Sequence, residues 1–195
     1  MKIRAFQSLT LTDYPGKIAG LVFTQGCNFA CPFCHNKQLL SDSSEELMPE
    51  SVLFDMLYQR KKLLDGLVIT GGEPAVQYDL AEFIAAVKDM GLLIKLDTNG
   101  SFPEVLGDLI QKELLDYIAM DVKATWDNYD RAAGTSVDID RIKQSIQIIS
   151  QSSIEHEFRT TVVDFLHKEQ DIDCIRKCLP DTSVYKTNPY KEYAL

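Results

Sequence analysis

Short apolar runs rich in β-branched residues alternate along the chain with longer amphipathic segments. That alternation predicts repeated strand–helix units around a parallel sheet. Six strands are expected, at 19–24, 67–70, 92–96, 117–122, 155–163 and 183–187. Five helices are expected between them, near 49–63, 79–90, 103–112, 138–150 and 170–178. Pro49 stands at the start of the first helix, where a missing amide is tolerated, and Gly91 closes the second as a C-cap. The stretch before the fourth helix reads as a polar loop. No low-complexity linker separates one unit from the next, so residues 1–195 are expected to form one α/β domain.

Buried parallel strands are apolar nearly throughout, and these are until their last residues. The first runs into Gly26-Cys27, the second into Gly71-Gly72-Glu73-Pro74, the third into Asp97-Thr98-Asn99-Gly100, and the fourth into Asp121 and Lys123. Ligands of parallel α/β folds bind at the carboxyl ends of the strands. Four polar strand ends therefore converge on one rim, although each alone reads as an ordinary turn.

Composition narrows the function classes. With 20 Lys+Arg against 29 Asp+Glu the net charge is −9, and without a basic stripe nucleic acid is not an expected partner. The longest apolar runs, 21–23 and 83–87, are far shorter than the roughly 20 residues of a membrane span, so no membrane is expected. The start Met1-Lys2-Ile3-Arg4 leads into no apolar leader; the expected location is the cytoplasm. Five cysteines cannot all pair, and three stand within eight positions. Such a cluster reads as a metal or redox site before a disulfide framework.

Cys27, Cys31 and Cys34 follow C-x3-C-x2-C. Zinc favours four ligands in paired halves, and His35, next to Cys34, is poorly placed to complete a tetrahedron. A 4Fe-4S cubane held by three thiolates keeps one iron open to an outside ligand. Zinc and buried structural thiols remain the alternatives at this point.

With Phe33 in the aromatic slot, this motif resembles that of the radical S-adenosylmethionine (SAM) enzymes, and Gly71-Gly72-Glu73-Pro74 resembles their glycine–glycine–glutamate motif. Asp97-Thr98-Asn99-Gly100 with Met120-Asp121-Val122-Lys123 is similar to the activases of glycyl radical enzymes. Asp13-Tyr14-Pro15-Gly16-Lys17, the run 22–28 and Cys34-His35-Asn36 are most similar to activating proteins of anaerobic ribonucleoside-triphosphate reductase, with pyruvate formate-lyase activases as neighbours.

The resemblance implies a single-domain incomplete (β/α)6 barrel, one 4Fe-4S cluster on Cys27, Cys31 and Cys34, and SAM on its fourth iron. It implies reductive cleavage of SAM and abstraction of a glycine Cα hydrogen on a large glycyl radical enzyme, with a low-potential flavodoxin or ferredoxin as electron donor. Phe33, His35, Gly71, Gly72, Glu73, Lys123 and Arg159 are then expected at the cofactors. Gly71 and Gly72 would let the backbone approach the methionine part of SAM, and Glu73 would accept a hydrogen bond near its ammonium. Asp97, Thr98, Asp121 and the Val122 carbonyl are expected to surround a monovalent cation. A full eight-unit barrel takes about 250 residues, whereas 195 accommodate six, leaving a lateral opening suited to a polypeptide loop.

Other positions carry open readings. Asp121 and Lys123, two apart on a strand, share a face and need each other or a ligand. Arg159 binds a carboxylate or ribose hydroxyl, or else pairs with Glu157. His167 is expected to face solvent or a partner. The sixth strand offers Tyr185, Lys186, Thr187 and Asn188 where the related activase has a SAM-binding histidine. Cys174 and Cys178, spaced i, i+4, are expected in the core. The competing functions are a small-molecule radical SAM enzyme, such as a deazapurine-forming synthase, and a zinc or redox-sensing module.

Overall fold

The computed structural model describes residues 1–40 and 47–191. It begins with a strand that the apolar pattern does not announce, β1 (Ile3–Thr10), of which only the two end residues are buried. An edge strand covered on alternate residues, with Arg4, Gln7 and Ser8 inside it, lacks the continuous apolar run of a central strand.

The six expected strands follow: β2 (Ala19–Thr24), β3 (Gly66–Gly71), β4 (Leu93–Thr98), β5 (Tyr117–Asp121), β6 (Glu155–Val162) and β7 (Val184–Pro189). The expected helices are α1 (Glu50–Arg60), α2 (Leu80–Lys88), α3 (Pro103–Gln111), α5 (Ile139–Gln151) and α6 (Glu169–Lys177). Between β5 and α5 the expected polar loop instead holds a 3-10 turn at Trp126–Asn128 and a five-residue helix, α4 (Tyr129–Ala133). One and a half turns are too few to display a helical period. Even so, Tyr129, Ala132 and Ala133 are wholly buried.

The sheet runs β1 to β7 in chain order. β1 is antiparallel to β2, and every later pair is parallel. Among the described residues β1 and β7 do not pair, so the barrel is incomplete. None of the described helices is long and apolar enough to cross a membrane.

Strand alternation separates two environments. Val22, Ile69, Leu96, Met120 and Phe158 face the helices and join Leu57, Ile84, Leu106 and Ile146 in the main core. The other face carries a small apolar plug of Leu21, Val68, Tyr117 and Ala119 beneath Tyr14. The Tyr14 and Tyr117 rings lie 5.9 Å apart, so the Asp13–Lys17 motif closes the amino end of the barrel. Nearer the carboxyl ends the same face turns charged.

Cys174 and Cys178 are not core residues; both are exposed. Within α6 only Ile175 is fully buried. Residues one apart on a helix point about 100° apart, so a stripe centred on Ile175 turns Cys174 away, while Cys178 stands at the C-cap beyond the last turn of α6.

Candidate active site

The loop after β2 carries Cys27, Cys31 and Cys34 across the carboxyl end of the sheet and is fastened at two points. The Ala30 amide donates to the Ala133 carbonyl at 2.8 Å, which seats the loop on α4. Gly134 follows in the left-handed region (φ +68°), and a Cβ there would lie 2.1 Å from the Ala30 carbonyl oxygen, so only glycine permits the approach. On the other side, Asn28 donates to Ser101 Oγ at 2.8 Å and accepts from Asn99 Nδ2 at 3.0 Å, while Ser101 Oγ donates to Asn99 Oδ1 at 2.6 Å. This latch joins the cysteine loop to the end of β4. Phe29 and Phe33 bury their rings beneath it.

All three thiols are unpaired. Burial pushes the Cys27 thiol up to about 11 and raises that of Cys31; the Phe29 amide donates to Cys27 Sγ at 3.4 Å. The thiols border one cavity, which Phe33, His35, Gly71, Gly72, Glu73, Asp97, Thr98, Asp121, Lys123 and Arg159 also line. Among the described residues, no three His, Cys, Asp or Glu side chains are grouped so as to hold one metal ion. Three thiols on one cavity wall match the donor chemistry of an iron–sulfur cluster.

The glycines of the second strand end serve the polypeptide itself. A Cβ on Gly71 (φ +113°) would lie 2.3 Å from the Thr24 amide nitrogen, and one on Gly72 would lie 2.0 Å from the Gly26 carbonyl oxygen. They are required because β2 and β3 end against each other, and both also line the cavity. Glu73 is likewise engaged. It accepts from Thr98 Oγ1 at 2.8 Å, the Asn99 amide at 2.7 Å and the Ala75 amide at 3.1 Å. Burial pushes its carboxyl up to about 7 against the pull of these donors. It ties the ends of β3 and β4 together.

The charged side chains form a ladder across β4, β5 and β6. Lys95, 1% exposed, pairs with Asp97. Arg159 spans Asp97 (3.5 Å) and Asp121 (Nε to Oδ1, 3.0 Å), and Lys123 donates to Asp121 Oδ2 at 2.8 Å. Burial opposes ionisation of Asp121, but Lys123 and Arg159 outweigh it and hold the carboxyl well below its ordinary range. Arg159 lies 4.0 Å from Glu157, which instead takes Lys186 at 2.6 Å and the Tyr117 hydroxyl at 3.1 Å. Between the two readings of Arg159, the two aspartates outrank Glu157.

Each of the four expected cation donors has a protein partner here. Asp97 and Asp121 share Arg159, Thr98 donates to Glu73, and the Val122 carbonyl accepts from Thr160 Oγ1 at 2.7 Å. Val122 buries its side chain on the helix face and does not reach the cavity. His167 is buried, contrary to expectation. Its Nδ1 accepts from the Val163 amide at 3.0 Å, so Nε2 carries the proton toward the Lys123 carbonyl at 2.8 Å. His35 stacks on Tyr190 at 4.9 Å, with Phe33 edge-on to the same ring at 6.3 Å. The lateral opening is thus bridged at the rim. On β7, Tyr185 turns to Thr160 and Lys186 to Glu157.

Lys95 supports this site through Asp97 but escapes a reading by motif. Lys95 had a signal: a lysine two residues before Asp97 within an apolar run shares its face. Tyr129 and Ala133 had none, since their segment looks like a polar loop.

The radical SAM superfamily profile matches residues 21–178. A glycyl-radical enzyme activating enzyme of Methanocaldococcus jannaschii is 34% identical over 188 residues, covering 94% of this chain and 77% of that protein. The pyruvate formate-lyase-activating enzyme of Listeria monocytogenes is 30% identical over 132 residues, covering 63% of this chain and 53% of that enzyme. Streptococcus suis SuiB bound to precursor peptide SuiA shares the fold with a TM-score of 0.69 at 15% identity, covering 88% of this chain and 39% of that one.

Proposed function

The chain belongs to the radical SAM superfamily, and from that premise we propose that this enzyme activates a glycyl radical enzyme, the anaerobic ribonucleoside-triphosphate reductase in particular. The observation that carries the reading is the shared cavity, where three free thiols meet Lys123, Arg159 and the Glu73-braced rim. The M. jannaschii and L. monocytogenes relatives support the activase class. The preference for the reductase rests on the motif at 13–17 and on Cys34-His35-Asn36. The Listeria relative favours the pyruvate formate-lyase type as the second reading.

When bound, a 4Fe-4S cluster and SAM supply the one-electron chemistry that yields a carbon radical able to take hydrogen from a glycine Cα. Everything else falls to the polypeptide. Cys27, Cys31 and Cys34 hold the cluster. Lys123, fixed by Asp121 and by the His167 bond to its carbonyl, presents a cation for a carboxylate, and Arg159 holds the aspartates that keep it in place. Glu73 and the Asn28–Asn99–Ser101 latch keep the strand ends from shifting, and Phe29 and Phe33 exclude water from the cysteine loop. The partner supplies a glycine-bearing loop, and a flavodoxin or ferredoxin supplies the electron.

Anaerobic reconstitution with iron, sulfide, reductant, SAM and the candidate reductase tests this. About four irons per chain on the cubane reading, SAM cleavage and a glycyl doublet in the electron paramagnetic resonance spectrum are expected. A glycyl doublet only with pyruvate formate-lyase would select the second reading. A colourless, zinc-loaded protein would overturn both.

A further inference from the structure

Outside the cysteine loop the chain carries two more thiols that neither the core nor the proposed chemistry uses. Cys174 and Cys178 are both free and exposed, although unpaired cysteine is among the most buried of residue types. Both border one cavity of about 350 Å³ between α6 and the turn that follows β5, with buried Ile175 and half-buried Trp126 in its lining. This cavity is not the one shared by the cluster thiols. Val122 and Ala124 line it, whereas Lys123 between them lines the other, so the end of β5 separates the two.

Backbone geometry decides what the two thiols can do together. Cys178 keeps a right-handed helical backbone at the C-cap, and its amide donates to the Ile175 carbonyl at 3.0 Å. The pair therefore keeps the i, i+4 spacing of a helix, at which Cβ atoms stand about 5–6 Å apart. A disulfide needs Cβ atoms about 3.5–4.5 Å apart. Forming one would unwind the end of α6. Zinc asks for four ligands, and among the described residues the cavity offers no imidazole and no third thiol. Asp171, one turn earlier, already accepts from the Lys168 amide at 2.8 Å in capping the helix.

A soft closed-shell ion, by contrast, is satisfied by two thiolates in line. At about 2.3 Å for each metal–sulfur bond its sulfurs lie about 4.6 Å apart, a span that side chains at i and i+4 reach with the helix intact. Asp127 and Asp171 at the same cavity add negative charge that favours a cation. We propose that Cys174 and Cys178 form a second metal site, a two-coordinate one for a soft, thiophilic cation such as cuprous copper. Binding exchanges two S–H protons, released to solvent, for two metal–sulfur bonds without a change of oxidation state. The inference does not depend on what Cys27, Cys31 and Cys34 hold.

The test titrates the full chain, its cluster reconstituted anaerobically, with one equivalent of cuprous ion supplied as the bicinchoninate complex. The protein should take the ion from that coloured complex, keep its cluster absorption, and lose alkylation by iodoacetamide at Cys174 and Cys178 together, as mapped by mass spectrometry. X-ray absorption at the copper edge should show two sulfur neighbours. Cys174→Ser and Cys178→Ser should each weaken uptake roughly a hundredfold, the loss expected when one of two linked donors is removed. The full chain carrying Cys27→Ser, Cys31→Ser and Cys34→Ser, which has no cluster ligands, should take up the ion as wild type does. Equal uptake by wild type and Cys174→Ser, or unprotected alkylation of both thiols, would overturn the inference. So would copper that bleaches the cluster while Cys174 and Cys178 stay reactive. A wild type that takes up no iron would overturn the proposed function alone, since the triple variant still reads this site.

Discussion

Replacing Gly134 by alanine tests whether α4 is the seat of the cysteine loop. Two costs are expected. The first is conformational: at φ +68° an alanine is left-handed, which costs about 1–2 kcal/mol. The second is local. A Cβ 2.1 Å from the Ala30 oxygen must withdraw to an ordinary 3.4 Å, so the loop or the helix moves by 1.3 Å. The 2.8 Å bond from the Ala30 amide to Ala133 does not survive that movement, and its loss adds about 0.5–1.5 kcal/mol. Gly91 is the control. It is also left-handed, at φ +84°, but has nothing within 4 Å of the added Cβ, so only the first cost applies. Urea unfolding of the cluster-free proteins should therefore show a loss of about 1–2 kcal/mol for Gly91→Ala and about 1.5–3.5 kcal/mol for Gly134→Ala. Iron uptake after reconstitution should match wild type in Gly91→Ala and fall in Gly134→Ala, because Cys31 moves with Ala30. Full iron uptake in Gly134→Ala, or equal losses of stability, would refute the seat.

Glu73, ordinarily near 4.5 and pushed up to about 7 by burial, binds more protons folded than unfolded between those values. Stability should therefore fall as pH rises from about 4.5 to about 7, by roughly 3 kcal/mol in full. Urea midpoints of Glu73→Gln should lack that decline, and parallel profiles for variant and wild type would contradict the placement. Arg159→Met leaves Asp97 to Lys95 and Asp121 to Lys123 without their shared cation and should lose about 1.5–3 kcal/mol. Potassium should recover part of this relative to tetramethylammonium in the variant only; a loss under about 1 kcal/mol, the range of an exposed pair, would mean the ladder is not buried in solution. Thiol reagents should modify Cys174 and Cys178 in the native cluster-free protein well before Cys27 and Cys31. Protection of Cys174 until unfolding would return it to the core.

The order of strands and helices was legible in the chain because a period of two or 3.6 is a local property, written in residues a few positions apart. The same local logic placed Asp121 with Lys123 on one face, Asp97 at a strand end, and the three cysteines on one loop. Partners across the sheet were not legible. That Arg159 prefers Asp97 and Asp121 to Glu157 follows from the register of β4, β5 and β6, and register sums contributions from the whole sheet. For the same reason the clash of two backbones that Gly71 and Gly72 avoid came only with the tertiary structure. His167 and Tyr129 sit in segments too short or too polar to carry a period, and in the legible helix α6 the i, i+4 spacing of Cys174 and Cys178 says that they lie on one side but not which side is covered. Sequence alone determined which chemistry the rim can hold. The packing of a loop on a five-residue helix, distant in sequence and joined by one hydrogen bond and one glycine, decided how that rim is held.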